Sequence, residues 1–370
     1  MIDMKKIDDA IAYSVEVIEK AIPDFTDLFP EEQSKNLIYP ARKICSWTES
    51  FWTGMLWLSY ELTGKKIFKE TAEFQLEAFR DRIDTRTNID THDLGFLYSL
   101  SAVAQYKLTG NEEAKRVALT AADTLTERYH EKGQFIQAWG KIGAPDNYRF
   151  IIDCLLNLPL LYWASEVSGD QKYYNIAYNH LKTALSTVTR EDGSTYHTVF
   201  FDPQTGKKLK GVTHQGYADD SSWARGQAWG VYGTALSFDY TKDESIIPEY
   251  KRITDYFIAH LPKDYVPFWD LIFTDGDDMP RDSSSGAIAV CGMLEMDKYI
   301  HEPKYMESAE KILNSLIDNY MTKGKVSNGL LTDGMYNWNN GDKPECNIWG
   351  DYFFLEALMR VKNPDWKMYW

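Results

Sequence analysis

The chain has 370 residues, of which 44% are hydrophobic and 26% charged, ordinary values for a globular protein and well above the apolar content at which chains stay disordered. Its 40 Lys and Arg against 55 Asp and Glu leave a formal charge of -15, which disfavours a broad basic surface for nucleic-acid phosphates. An anionic small substrate stays open, because one or two arginines in a cleft dominate the local field whatever the total charge.

In chain order, the first stretch, MIDMKKIDDAIAYSVEVIEK, carries charges throughout where an export signal needs an unbroken apolar run. Helical periodicity then recurs with almost no alternating strand pattern. The spacing predicts twelve helices, over 3–21, 48–63, 66–82, 91–109, 111–129, 150–168, 170–187, 221–239, 245–262, 283–300, 303–322 and 348–361. Their connections alternate in length. Gly64, Gly110 and Gly169 each suit a left-handed C-cap with the next helix following at once, and His301-Glu302-Pro303 closes the tenth helix as abruptly. Long loops precede every even-numbered helix, so stacked hairpins put the short turns on one face and the long loops on the other.

This degenerate repeat predicts an all-α fold, one six-hairpin (α/α)6 toroid over residues 1–370, with an open α-solenoid as the rival. Ser194 to Phe201, followed by Asp202-Pro203, reads as a strand and turn, a small β-hairpin over the cavity. The most apolar stretch, Cys154 to Ser165, is too short to span a bilayer. Four scattered cysteines without a CxxC pair fit reduced thiols. The expectation is a cytoplasmic protein, with neither membrane nor nucleic acid as partner and an oligomeric state that the sequence leaves open.

Nearly all the unusual residues fall on the long-loop face. Trp47 opens WTESFWTGMLW, Asp93 lies in THDLGF, Trp139 ends IQAW, Asp153 lies in IIDCLLN, and Trp223, Arg225 and Trp229 lie in WARGQAW. Helix N-termini converging on a cavity offer unpaired N–H groups to an anionic ligand. Aromatic residues make up 14% of the chain, more than its core requires, so some are expected to face a ligand.

Asp153 sits in an apolar run and must be desolvated unless it borders a cavity. Asp93 repeats the situation one hairpin earlier. Two carboxylates approaching across a cavity raise each other's proton affinity, which is acid/base machinery; the alternative is a structural role, as helix caps or, for Asp153, a hydrogen-bonded buried carboxylate. His197 on the hairpin and His214-Gln215 reach toward the cavity mouth, or are polar surface residues. Trp223 and Trp229, six residues apart, stand roughly 240° apart around a helix, so one of them is expected in the core. Arg225 and Gln227 between them supply planar donors suited to a sugar ring and its carboxylate. No HExxH, zinc-ligand spacing, Walker loop or GxGxxG occurs, and Arg281-Asp282-Ser283 reads as a helix start. Neither metal nor cofactor is expected.

Together the segments WTESFWTGMLWLSYELTG, HDLGFLYSLSA, IIDCLLNLPLLYWA, TYHT, THQG, WARGQAWGVYG, RDSSSGAIA and NIWGDYFFLEAL resemble the unsaturated glucuronyl hydrolases, glycoside hydrolase family 88, over nearly the whole chain. The resemblance implies the same toroid and a substrate bearing 4,5-unsaturated glucuronic acid at its non-reducing end, the product of lyases acting on glycosaminoglycans. It implies Asp153 as acid/base and Asp93 as the second essential carboxylate. His197, Gln215 and Arg225 match the positions that hold the unsaturated ring; Trp47, Trp139, Trp223 and Trp229 match the aromatic walls. The loop from Tyr336 to Lys343 matches the region beside the neighbouring sugar, which makes Tyr336 a binding candidate. Some members grip sulfate there with serines and a lysine. This chain has Asn337, Asn340 and Asp342 with Lys343 displaced by one, which puts strong sulfate preference in doubt. The related unsaturated rhamnogalacturonyl hydrolases and a non-catalytic glycan-binding toroid are the alternatives.

Overall fold

Tight left-handed turns set the architecture in the computed structural model, which describes residues 3–370. Helix α1 is Met4–Ala21; α2 (Glu49–Thr63) ends on Gly64 at φ +69° before α3 (Lys66–Asp84). Helix α4 runs through Leu94–Tyr98, a π turn at Ser99–Val103, and Ala104–Thr109, then turns on Gly110 into α5 (Glu112–Thr126). Helix α6, formed by Cys154–Asn157 and Pro159–Ser168, turns on Gly169 into α7 (Gln171–Val188). Glycine has no Cβ to clash in this conformation, so each reversal costs little. Helix α8 (Ala224–Thr241) leads to α9 (Ile247–Ala259), and α10 (Ser283–Ile300) leads through His301 to α11 (Pro303–Ser315), which a π turn at Leu316–Tyr320 extends. Helix α12 is Ile348–Lys362.

The even-numbered helices form an inner ring and the odd-numbered ones an outer ring. Helix α8 buries every residue from Ala224 to Phe238, and α12 every residue from Ile348 to Arg360, the signature of a helix packed on all sides. Helix α1 instead buries one stripe, Ile7, Ala10, Ser14, Val15, Ile18 and Ala21. Contacts run α2 to α4, α6, α8, α10 and α12, and α12 packs back on α2. That last contact closes the toroid, where an open solenoid would leave both helices free. On the short-turn face, the last residues fold under the ring, with Lys107 Nζ donating to the carbonyls of Met368, Tyr369 and Trp370 at 3.0–3.1 Å. No helix among the described residues is long and apolar enough to cross a membrane.

The long loops carry short strands. Two pairs, β1 (Phe29–Pro30) with β2 (Ala41–Arg42) and β3 (Tyr129–His130) with β4 (Phe135–Ile136), flank a three-stranded sheet of β5 (Arg149–Ile151), β6 (Thr198–Phe201) and β7 (Lys208–Val212). The expected hairpin is β6–β7, and β5 adds a strand that was expected to be helical. Helices predicted from residues 91, 150 and 221 begin instead at Leu94, Cys154 and Ala224. In the clearest case Arg149–Ile151 pairs with Phe200–Thr198; a three-residue segment just before a helix is too short to carry a periodicity that distinguishes the two states.

Candidate active site

The long-loop face holds a cavity of about 810 Å³, and all ten site residues expected from the sequence line it: Trp47, Asp93, Trp139, Asp153, His197, Gln215, Trp223, Arg225, Trp229 and Tyr336. Asp93 and Asp153 are the residues immediately before α4 and α6, yet neither side chain caps its helix. The Asp93 carboxylate instead accepts from Thr91 Oγ1 at 2.6 Å. The helix-cap alternative is therefore absent for both, and their carboxylates are left to face the cavity and each other.

Between them stands His92, whose Nε2 is 3.3 Å from Asp153 Oδ1 and 3.4 Å from Asp93 Oδ1. Burial works against the imidazolium, but the Asp153 and Asp93 carboxylates outweigh it and hold the His92 pKa above the usual histidine value. Burial raises the Asp93 pKa, His92 opposes that rise, and Asp153 reinforces it. Donor atoms of His92, Asp93 and Asp153 lie within 4.8 Å of one another, close enough to face one cation. An imidazolium at His92 supplies positive charge to the cluster from within.

Another part of the lining comes from His197, just before β6, and from the loop before α8. Burial lowers the His197 pKa to about 3, so its ring is neutral, and His197 Nδ1 accepts from His214 N at 2.8 Å. Gln215 Nε2 donates to Tyr336 O at 2.9 Å, tying this wall to the loop of Tyr336. Arg225 was expected as a fixed cation facing substrate, and the structure modifies that picture. It is 1% exposed, pairs with Asp282 at 3.3 Å, and donates to the carbonyls of Met335 and Tyr336 at 2.6 and 2.8 Å. Burial lowers the Arg225 pKa against the pull of Asp282. Asp282 caps α10, accepting from Ser284 N, and is also the partner of Arg225.

The aromatic residues divide by exposure. Trp139 is 39% exposed at the rim, under the Arg149 guanidinium at 4.4 Å, whereas Trp229 is 1% exposed. Trp47 stacks on Trp349 with centroids 5.2 Å apart and points Nε1 at Tyr336 Oη, 3.4 Å away. Trp229 belongs to the buried core, as expected of one of the pair, yet both Trp223 and Trp229 also border the cavity. Trp223 has φ -57° and ψ 120° and precedes α8, so the angle between them around a helix does not apply.

Sequence reasoning missed His92, although it stands beside Asp93, because a lone histidine carries no spacing signal. It also missed Arg82, Asn88, Asp90 and Thr91, which line the same cavity. Arg82 is anchored by the carbonyls of Ser46 and Asn88 at 2.5 and 2.7 Å and lies 3.5 Å from the buried Glu49 carboxylate. Its separation from Ser46 and Glu49 by more than thirty residues hides that part of the cluster from any local pattern.

Residues 17–363 match the model of Glycosyl Hydrolase Family 88. The unsaturated chondroitin disaccharide hydrolase of Streptococcus pneumoniae is 46% identical, with 100% of this chain and 95% of the relative covered. An unsaturated glucuronyl hydrolase of a Bacillus species is 40% identical over 96% of each chain. The crystal structure of unsaturated glucuronyl hydrolase from Streptococcus agalactiae superposes with a TM-score of 0.98 at 45% identity, covering 100% of this chain and 95% of that one. A mutant of the same enzyme, complexed with dGlcA-GalNAc6S, gives 0.89 at 42% identity over 100% and 94%. A full-length relationship at this identity, on a toroid whose long-loop face gathers two uncapped carboxylates, places the chain in glycosyl hydrolase family 88.

Proposed function

We infer that this chain removes 4,5-unsaturated glucuronic acid from the non-reducing end of lyase-generated glycosaminoglycan fragments by hydrating the C4=C5 enol ether. The carrying observation is the pair Asp93 and Asp153, freed from capping and joined through His92 in the 810 Å³ cavity. Protonated Asp153 gives its proton to C4. The resulting carboxylate takes a proton from the water that attacks C5, and the hemiketal so formed opens and releases the neighbouring sugar. Because water attacks C5, the usual relation between carboxylate separation and anomeric stereochemistry does not apply. Asp93 holds the ring beside Asp153 and supplies the second carboxylate of the pair.

Neutral His197 accepts or donates a hydrogen bond without adding charge, while Gln215 and Arg225 fix the loop of Tyr336 against the ring. Trp47, Trp139, Trp223 and Trp229 form apolar walls for the sugar faces. Asn337 and Asn340 line the cavity on the side of the leaving sugar, whereas Lys343 lines a separate groove with Glu345. Two neutral amides bind hydroxyls better than sulfate, so unsulfated substrates are favoured. The closed ring supports reading residues 1–370 as one catalytic domain, and four free cysteines fit a cytoplasmic location.

The test is to incubate the protein with unsaturated disaccharides of chondroitin, hyaluronan, heparin and rhamnogalacturonan and follow loss of enol-ether ultraviolet absorbance. Turnover of unsulfated chondroitin or hyaluronan disaccharides is expected; turnover of only the rhamnogalacturonan product would overturn the reading.

A further inference from the structure

His92 is 1% exposed, and its backbone is fixed: its N donates to Ala138 O at 2.7 Å and its carbonyl accepts from Gly95 N at 3.3 Å. The imidazole therefore stays where the fold puts it. Its Nε2 approaches both carboxylates without aligning on either, and neither ring nitrogen has a hydrogen-bond partner among the described residues. Asp153 Oδ1 is likewise buried without a hydrogen bond. A buried polar ring with no bond to another group has no structural reward that offsets its desolvation. Its position is explained if it acts on the carboxylates electrostatically.

We propose that His92 is a positioning residue that, as imidazolium, holds Asp153 in place and stabilises the carboxylate left when Asp153 gives its proton to the substrate. The proposal rests on the reading of Asp153 as the acid/base. In the donating state a proton resides on Asp153 and the imidazolium balances Asp93. After transfer to C4, negative charge appears on Asp153 Oδ1, 3.3 Å from Nε2. When the attacking water returns a proton to Asp153, His92 is unchanged, so it acts through Asp153 and has no direct part in bond making.

The charged surroundings allow this. Asp153 and Asp93 favour the imidazolium, while Arg128 and burial oppose it; His180, pushed down to about 3 by burial, stands near as a neutral ring. Neutral His197 and cationic Arg225 also interact with Asp153 through space, and Arg82 with Asp93. With Arg225 committed to Asp282 and Arg82 close to Glu49, His92 is the cation within reach of both carboxylates.

The sign of the effect separates this role from packing. A positive neighbour lowers the proton affinity of a carboxylic acid and a negative one raises it. His92→Gln, which keeps bulk and polarity but no charge, is expected to lower kcat roughly 10- to 100-fold with KM within about threefold, and to move the basic limb of the pH profile upward by about one unit. Asp93→Asn should move it downward. A His92→Gln enzyme with lowered kcat and an unmoved limb would overturn the proposal. A second measurement needs no turnover: the His92 ring resonances, followed by NMR in folded protein, should titrate above the usual histidine range and shift down in Asp153→Asn. Titration at or below that range in the unsubstituted protein would also overturn it. Separately, near-normal turnover by Asp153→Asn would remove the underlying reading of the acid/base itself.

Discussion

A Cβ on Gly95 would lie 2.3 Å from Cα of Asn157, so the starts of α4 and α6 touch backbone to backbone. Asn157 completes the joint: its Oδ1 accepts from Phe96 N at 2.7 Å and its Nδ2 donates to Asp153 O at 3.2 Å. Asp93 lies two residues before Gly95 and Asp153 four before Asn157, so this single approach fixes the two carboxylates relative to each other.

Gly95→Ala is therefore expected to destabilise the protein by about 1–3 kcal/mol, the usual range for overpacking a tight contact. The contact is with backbone, which cannot move aside as a flexible side chain would. The two carboxylates should separate, and kcat should fall even at temperatures where the variant is fully folded. Urea unfolding gives the first quantity and initial rates on the disaccharide substrate the second. An alanine variant as stable and active as the parent would show that the joint is looser than its geometry.

Asp153→Asn is expected to abolish turnover while preserving the fold and substrate binding. The amide is nearly isosteric with the carboxyl group but cannot pass a proton to C4 or accept one from water, and general acid/base groups contribute about 10²- to 10⁴-fold. Circular dichroism and calorimetric binding of substrate check the fold and affinity while the absorbance assay checks turnover. A correctly folded variant turning over near the normal rate would exclude Asp153 from the mechanism.

Much of this was legible in the sequence for identifiable reasons. The alternation of tight glycine turns at Gly64, Gly110 and Gly169 with long loops is a local signal, and it specifies the two faces of the toroid. Asp153 was conspicuous because an acid in IIDCLLNLPLLYW has to be explained. What stayed hidden depends on contacts distant in sequence. The strand Arg149–Ile151 exists because Thr198–Phe201 lies beside it, and Arg225 is neutralised by Asp282, 57 residues away. His92 had a visible neighbour in Asp93, but its approach to Asp153 is created by the Gly95–Asn157 joint and by no pattern along the chain.

Arg225→Ala should impair both stability and kinetics, because the guanidinium serves a buried carboxylate and two loop carbonyls. Removing it leaves the fully buried Asp282 carboxylate without its counter-ion, and breaking such a buried pair costs about 3–5 kcal/mol. It also releases the Met335 and Tyr336 carbonyls, so the wall beside the leaving sugar loosens and KM should rise. Adding Asp282→Asn to Arg225→Ala removes the unpaired charge, and is expected to restore part of the stability but none of the substrate affinity. Thermal denaturation and Michaelis kinetics on both variants separate the two effects. Restored KM in the double variant would show that the arginine affects substrate only through fold stability.

The pH dependence follows from the three groups in the cavity. Asp153 must be protonated to start the reaction, so activity is expected to fall as pH rises through the apparent pKa of the coupled carboxylates. Asp93 is raised by its burial against the opposing pull of His92, with Asp153 adding to the rise. Within the coupled pair a negative charge at Asp93 and the His92 cation act with opposite sign on the apparent pKa of the basic limb. In Asp93→Asn the negative neighbour is gone and the cation remains. With the negative neighbour removed from the pair, the basic limb of any residual activity should move to lower pH. Retained fold and a measurable residual rate make the comparison valid, and limbs measured by kcat and by kcat/KM separate the bound from the free enzyme. An unchanged basic limb in this variant would mean that the two carboxylates, each close to His92, do not sense one another's charge.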